Sequence, residues 1–337
     1  MQCGFRCLSK QGIVTQIPAA AEKADPIMSH RAKAQQTRSS AACPNLRAPS
    51  RRPLYAIGDI RGDVERLLKL LVAHGIIEMR DQTFEWIKRD VIVLLMGNVL
   101  DAKSAMGAFG DMLFDDSTSD LWILQFLQEA SVKAGRAKSA ILAVLGEREV
   151  RNALGDYSET SPYHCTDRNE RRRHLAPGGA GFASLCSSFV TSLTHGDVVY
   201  SHAGIPLNAS VVQRRIVNKR VGPPVLAAQN VCEVLGFVGH RDYARAPSRN
   251  DQEKLETALR RRRARRYVVG HYHTGDKGIV AGWGGRVVYT DVGISRAITP
   301  NATKHSSSVL YDSGQEGEDL QVLHLDGTTE PVPSGDL

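Results

Sequence analysis

From Leu54 onward the chain alternates short apolar runs with polar turns and stretches of helical period. The apolar runs are "LYAIGD" (54–59), "VIVLLMGN" (91–98), "AILAVLGE" (140–147), "DVVYSHAG" (197–204) and "RYVVGHYH" (266–273). "RVVYTDVG" (286–293), "SSVLYD" (307–312) and "LQVLHLD" (320–326) follow them. Runs this short, rich in Val, Ile and Leu and ending on Gly, Asp or Asn, predict buried strands. Helical patterns over Val64–His74, Asp120–Lys133, Gly181–Leu193 and Gln252–Arg263 separate the earlier strands. The alternation predicts an α/β fold whose first strands are parallel and whose last strands are antiparallel.

The flanks read differently. Residues 1–52 are rich in Ala, Ser, Gln and Arg, and between Pro26 and Gly58 there are six Lys or Arg and no acid. Such a segment lacks the apolar content to offset the entropy of ordering it, so a disordered basic extension is expected. Residues 102–118 read as a loop and 327–337 as a C-terminal tail, leaving 53–326 as the folded domain. At 337 residues and 42% hydrophobic content there is enough chain for one large core. No apolar run approaches the roughly 20 residues of a membrane helix.

Six cysteines without a C-x-x-C pair suggest neither a zinc knuckle nor a disulfide framework. A reducing compartment is expected, the cytoplasm first. The basic, acid-poor N-terminus leaves a mitochondrial or other organelle address as the alternative. The net charge of +7 is concentrated in "RRRRARR" (260–266) and "RNERRRH" (168–174). The first closes a helix, where arginines suit the macrodipole. Neither run has interleaved aromatics or a nucleic-acid-binding motif, so nucleic acid is not the favoured partner.

Chemistry gathers at the strand ends, where open α/β sheets place their functional crevices. They deliver Asp59 with Arg61, Asn98 with Asp101, Glu147 with Arg148, His202, and His271 with His273. Singly, each suits a helix cap, a turn or a hydrogen-bonded core residue. Together they supply the residue types that a hydrolytic metal site requires.

The ordered motifs resemble those of calcineurin-like metallophosphoesterases. "GDIRGDVERL" is similar to the opening G-D-x-H-G, with Arg61 where the family has a metal-binding His. "LLMGNVLDAK" is similar to G-D-x-x-D-R-G, with Asn98 for the metal-bridging Asp and Ala102 for the Arg. "LGEREVRNALGDY" resembles G-N-H-E and its short helix, with Glu147 for the metal-binding Asn and Arg148 for the proton-donating His. "YSHAGI" and "VVGHYHTGDKGIV" keep His202 and His271, while "HLAPGGAGFASL", "GHRDYARAP" and "YTDVGISR" resemble the Shewanella-like branch of phosphoprotein phosphatases. The resemblance implies a four-layer α-β-β-α sandwich.

It also implies a degenerate centre. Arg61 sets a fixed cation where a ligand should meet a dication, a repulsion of several kcal/mol at about 4 Å and intermediate dielectric. Asn98 offers no anionic oxygen to bridge two ions, and Arg148, with its pKa above ~12, cannot donate a proton near neutrality. A dinuclear centre is therefore not expected. At most one divalent ion (Zn, Mn or Fe) is expected, on ligands drawn from Asp59, Asn98, Glu147, His202 and His271, with His273 at metal-binding spacing. Arg61, Arg148 and Arg241 are candidate phosphate-binding residues, since guanidinium grips phosphate bidentately; the alternative is that Arg61 and Arg148 pair with Asp59 and Glu147. The leading expectation is a catalytically impaired phosphatase homologue that binds a phosphorylated protein, a small phosphate ester or a protein partner. An active metal-dependent phosphatase with a rearranged site and a structural subunit of a basic, ribonucleoprotein-like assembly are the alternatives.

Overall fold

A computed structural model describes residues 47–48, 52–80, 83–101, 119–158, 160, 168–210, 213, 231–295, 298–299, 301, 303–315 and 317–335. Its strands in chain order are β1 (Arg47–Ala48), β2 (Leu54–Ile57), β3 (Ile77–Arg80), β4 (Thr83–Trp86), β5 (Ile92–Leu95), β6 (Ala140–Val144), β7 (Phe189–Val190) and β8 (Leu193–His195). They continue as β9 (Val198–Ser201), β10 (Arg266–His273), β11 (Val280–Gly282), β12 (Val287–Asp291), β13 (Val309–Asp312), β14 (Gln321–Leu323) and β15 (Thr329–Pro331). The described helices are α1 (Val64–Ala73), α2 (Ser119–Arg136), α3 (Glu147–Leu154), α4 (Arg168–Leu175), α5 (Ala180–Ser188), α6 (Val231–Val238) and α7 (Arg249–Arg262).

The strands form two large sheets. One has the order β15-β14-β13-β2-β5-β6-β7, parallel from β2 to β7 and antiparallel from β13 to β15. The other has the order β1-β8-β9-β10-β12-β11, with β9, β10 and β12 parallel. The central strands β2, β5 and β9 are buried along their whole length, which is why they read as unbroken apolar runs. The mixed α/β class is the one the apolar pattern predicted.

The sheets face one another across a core that is partly polar. Tyr200 of β9 donates its hydroxyl to Asp312 of β13 at 2.7 Å, and the same carboxylate oxygen lies 2.9 Å from His195 Nδ1 of β8. At Gly58 the approach is closest. A side chain there would meet the Thr290 carbonyl of β12 at 2.0 Å, so only glycine lets β2 and β12 deliver their ends to one place. Helices α2 and α5 pack against β6, and α7 turns Leu255 and Leu259 into the core.

Several local features depart from the sequence pattern. The helix expected to run to Leu193 stops at Ser188, and the buried β-formers Phe189, Val190 and Leu193 enter strands instead. The β3–β4 hairpin, with Phe84 and Trp86 facing inward, was not anticipated. The segment after Asp326, expected as a tail, contains β15, and Ser334 bridges to Ala281. Within the expected N-terminal extension, Arg47–Ala48 pairs with β8 and the Arg52 carbonyl lies 2.8 Å from His195 Nε2. The rest of that extension, the loop 102–118, Ala102, and Cys3, Cys7, Cys43 and Cys165 fall outside the described residues.

These edge contacts give a stability prediction. A chain starting at residue 53 is expected to unfold about 1–3 kcal/mol more easily than one starting at Pro44, because it leaves Nε2 of the buried His195 without its acceptor and removes β1. Urea titration of the two truncations checks this, and equal midpoints would show that β1 and Arg52 contribute nothing.

Candidate metal and anion centre

The strand-end residues converge. Asp59 follows β2, Asn98 follows β5, Glu147 opens α3 after β6, His202 follows β9, and His271 and His273 close β10. Of the residues gathered at the strand ends, Arg61 (φ 50°), Asn98 (46°), Asp101 (62°) and His271 (58°) hold left-handed backbone without being glycine. Such conformations cost about 1–2 kcal/mol each for ordinary residues and persist where surrounding contacts enforce them. One enforcing feature is a register shift between Val269 and His273 against β12, which turns His271 inward. Another is Gly270, where a Cβ would collide with Asp59 Oδ1 at 2.6 Å and the Met96 carbonyl at 2.8 Å.

Glu147, His202 and His271 offer ligand atoms that all lie within 4.8 Å of one another. His202 Nδ1 sits 2.7 Å from the Met96 carbonyl, which can only accept, so that nitrogen carries the proton in this hydrogen bond. Nε2 then faces Glu147 Oε2 at 2.8 Å. His271 Nδ1 is 3.1 Å from the same oxygen, and its buried Nε2 has no hydrogen-bond partner among the described residues. Two imidazoles and a carboxylate, one imidazole oriented by a backbone carbonyl, are a donor set that fits a single divalent ion. A bound ion would supply Lewis-acid polarisation of a phosphoryl oxygen.

The neighbouring position is arranged differently. Arg61 Nη2 lies 3.2 Å from Asp59 Oδ2 and 2.9 Å from Asp291 Oδ2, with both carboxylates fully buried and the arginine side chain 12% exposed. A fixed cation already sits between the two acids, so this donor set does not fit a second ion. Asn98 ties the halves together, donating its amide to Asp59 Oδ2 at 3.0 Å and to Glu147 Oε1 at 3.1 Å. An amide that donates to both carboxylates presents them with hydrogens, not with an anionic bridge.

The electrostatics follow from burial. Asp59 is pushed up to about 7 by desolvation with Asp291 alongside, despite His202 and Arg61. His202 rises to about 9 although burial opposes it, because Asp59 and Glu147 surround it. Burial would also raise Glu147, yet His202 and His271 hold it well below the usual carboxylate range. His271 is lowered by burial, with the charges of His202 and Arg241 acting in the same sense.

Beside this cluster lies a second buried network. Asp101 accepts from Arg171 Nη2 at 2.6 Å, Asn152 Nδ2 at 2.6 Å and the Thr160 hydroxyl at 3.1 Å. Arg171 Nε also reaches Asn152 Oδ1 at 2.7 Å. Arg148, only 3% exposed, donates Nη1 to the Asp101 carbonyl at 3.1 Å. Of the three arginines expected around one pocket, Arg61 enters the carboxylate cluster, Arg148 is buried against the Asp101 backbone, and Arg241 is exposed within electrostatic reach of His271. His273 is 42% exposed, with Nδ1 3.7 Å from Asp291 Oδ1.

Asp291 was missed as a site residue although its motif was noted; its signal is a strand ending in Asp-x-Gly. Arg171 was hidden inside a run that reads as a solvated basic helix. Glu149 was also passed over; it closes the turn by accepting from the backbone N–H groups of Asn98, Leu100 and Gly146.

The two-sheet fold brings acid and histidine side chains together at its strand ends, residue types that a hydrolytic metal site uses. Comparison with known proteins supplies the relationship. The chain is 23% identical over 238 residues to "Shewanella-like protein phosphatase 1" of Plasmodium berghei, covering 65% of this chain and 60% of the relative. It is 31% identical over 104 residues to "Shewanella-like protein phosphatase 2" of Arabidopsis thaliana, covering 31% of this chain and 22% of the relative. It therefore spans less than two thirds of the length of either. A cold-active protein-tyrosine phosphatase of a psychrophilic Shewanella has the same fold, with TM-score 0.60 and 18% identity over 86% of this chain and 83% of that one. No family model matches. The chain is related to the Shewanella-like protein phosphatases.

A pH and metal prediction follows. The folded protein holds protons on Asp59 up to about 7 and on His202 up to about 9, above their ordinary values of 3.8 and 6.5. Their contribution is therefore complete at low pH and is lost as pH rises through those values. In chelator, the melting temperature is expected to fall from pH 6 to pH 9. A metal needs neutral imidazoles, so added Zn²⁺ or Mn²⁺ should stabilise more at pH 8 than at pH 6, and not at all in His202→Ala. Thermal scans check this; an ion effect that survives the substitution would remove the triad as a metal site.

Proposed function

We propose that this chain is a catalytically impaired phosphatase homologue that recognises a phosphorylated ligand and holds at most one divalent ion, on Glu147, His202 and His271. The observation that carries the reading is Arg61, whose guanidinium stands between Asp59 and Asp291 at 3.2 and 2.9 Å. With a fixed cation there, the clamp of two ions that polarises a phosphoryl group and activates a water between them is reduced to one. Arg148, which stands in the motif position of the proton donor, cannot release a proton near neutrality. Protonation of a leaving group has no provision from that residue.

Binding is a separate matter from turnover. Arg61 keeps a measure of exposure, and Arg241 is exposed on the His271 side, so two guanidinium groups and one ion would offer a phosphate a positive surface. Arg61 is shared with two carboxylates, so affinity is modest and falls with salt. The relatives are named as phosphatases, which supports a phosphorylated protein or small phosphate ester as the ligand class. A second reading, a slow one-metal phosphatase, is favoured by the compact Glu147–His202–His271 donor set.

Hydrolysis of 4-nitrophenyl phosphate with Mn²⁺ present, measured alongside metal content, separates the two. Turnover is expected to be at least ~1,000-fold below that of an intact phosphatase, because loss of a general acid alone removes about 10²–10⁴-fold. Ordinary turnover that disappears in His202→Ala would overturn the impaired reading. In parallel, Arg61→Ala and Arg241→Ala should each weaken binding of inorganic phosphate at low salt. Unchanged affinity in both would assign the arginines to internal pairing.

A further inference from the structure

Beyond Asp291, on the side away from the triad, a cleft of about 370 Å³ opens between the end of β10 and the segments that follow β12. We propose that this cleft receives the hydroxylated body of a small phosphate ester, a sugar or polyol phosphate, whose phosphate reaches the Arg61 cluster. The proposal rests on the phosphate-binding reading above and adds the identity of what the phosphate is attached to.

The cleft and the cluster share one carboxylate. Arg61 Nη2 takes Asp291 Oδ2 at 2.9 Å, and His273 Nδ1 lies 3.7 Å from Asp291 Oδ1. His273 is 42% exposed and lines the cleft, so a ligand seated there lies one side chain away from the guanidinium. Arg61, on the far side of Asp291, supplies a fixed positive charge toward this end of the cleft.

The remaining lining selects the class. Thr299, Asn301, Thr303 and Ser306 bring neutral donors and acceptors, and Asp276 is the single acid. Among the described lining residues none but the imidazole is aromatic, and none is Lys or Arg. A site for a nucleobase or a phenyl ring is expected to carry a stacking surface, and a site for a polyanion several cations. The described lining has neither. The Asn301 amide and the Thr299 hydroxyl can each donate and accept, and the Thr303 and Ser306 hydroxyls, which bond one another at 3.1 Å, retain lone pairs, a set that matches the alternating donors and acceptors of a polyol. The volume lies at the small end of the range for ligand pockets and is too small for a folded partner.

Four probes titrated into the full chain by calorimetry test it: inorganic phosphate, glucose, glucose 6-phosphate and phenyl phosphate. Glucose 6-phosphate is expected to bind about tenfold more tightly than inorganic phosphate or phenyl phosphate, the gain of two or so net hydrogen bonds. Asn301→Ala and Thr303→Val, both at the surface, should erase that gain and leave inorganic phosphate unchanged. Equal affinity for glucose 6-phosphate, phenyl phosphate and inorganic phosphate overturns the cleft assignment while the phosphate-binding reading stands. Glucose binding that responds to Asn301→Ala, with no binding of any phosphate, overturns the phosphate-binding reading and leaves the cleft assigned to polyols. Absence of binding by all four overturns both.

Discussion

Two fully buried carboxylates, Asp59 and Asp291, meet where the ends of two β-sheets converge, and one guanidinium lies between them. Burying two such groups as anions would cost several kcal/mol each with their mutual repulsion added, which is why Asp59 holds its proton up to about 7. Arg61 meets both acids with one planar group, at 3.2 and 2.9 Å. The close packing of β2 on β12 at Gly58, the amide bridge from Asn98 and the inward turn of His271 all assume that the two acids can stay where they are. A covalently attached cation holds the two acids together permanently, which couples the folding of the domain to this one residue.

Partners are shared out across the centre. Glu147 is the carboxylate that faces His202 and His271, and Asn98 donates to both Glu147 and Asp59. Arg148 finds its own acceptor at the Asp101 carbonyl, and the Asp101 side chain is taken by Arg171, Asn152 and Thr160. Each replaced group has partners of its own, as buried polar groups require. The result is two adjacent networks, one acidic and histidine-rich, one closed by arginine.

Much of the fold was legible because its strands are buried on both faces and the chain writes them as continuous apolar runs. The strand ends could be read because Asp, Asn, Glu and His appeared in succession at equivalent places. What escaped was side-chain direction and pairing. Arg171 sits in a seven-residue run with four arginines and reads as solvated, yet a single helical face carries it inward to Asp101. Arg148 was expected at the pocket because it stands in the motif position of a proton-donating His, but its guanidinium reaches back to the Asp101 carbonyl instead. Asp291 belongs to the second sheet, and nothing local announces that β12 ends opposite β2. The hairpin of β3 and β4 alternates too briefly to separate from a loop, and β15 is too polar to register as a strand. Local pattern specifies elements; which elements end at the same point is a long-range property.

The left-handed residues at the strand ends have one further implication. Arg61, Asn98, Asp101 and His271 all occupy backbone conformations that most side chains resist. The loops are held in shape both by the close packing at Gly58 and Gly270 and by the bonds their side chains make, Arg61 to the two acids and Asn98 to Asp59 and Glu147. Turns held in this way set their strain against ion pairs and amide bonds, so the backbone shape of the centre and the charge balance inside it stand or fall together.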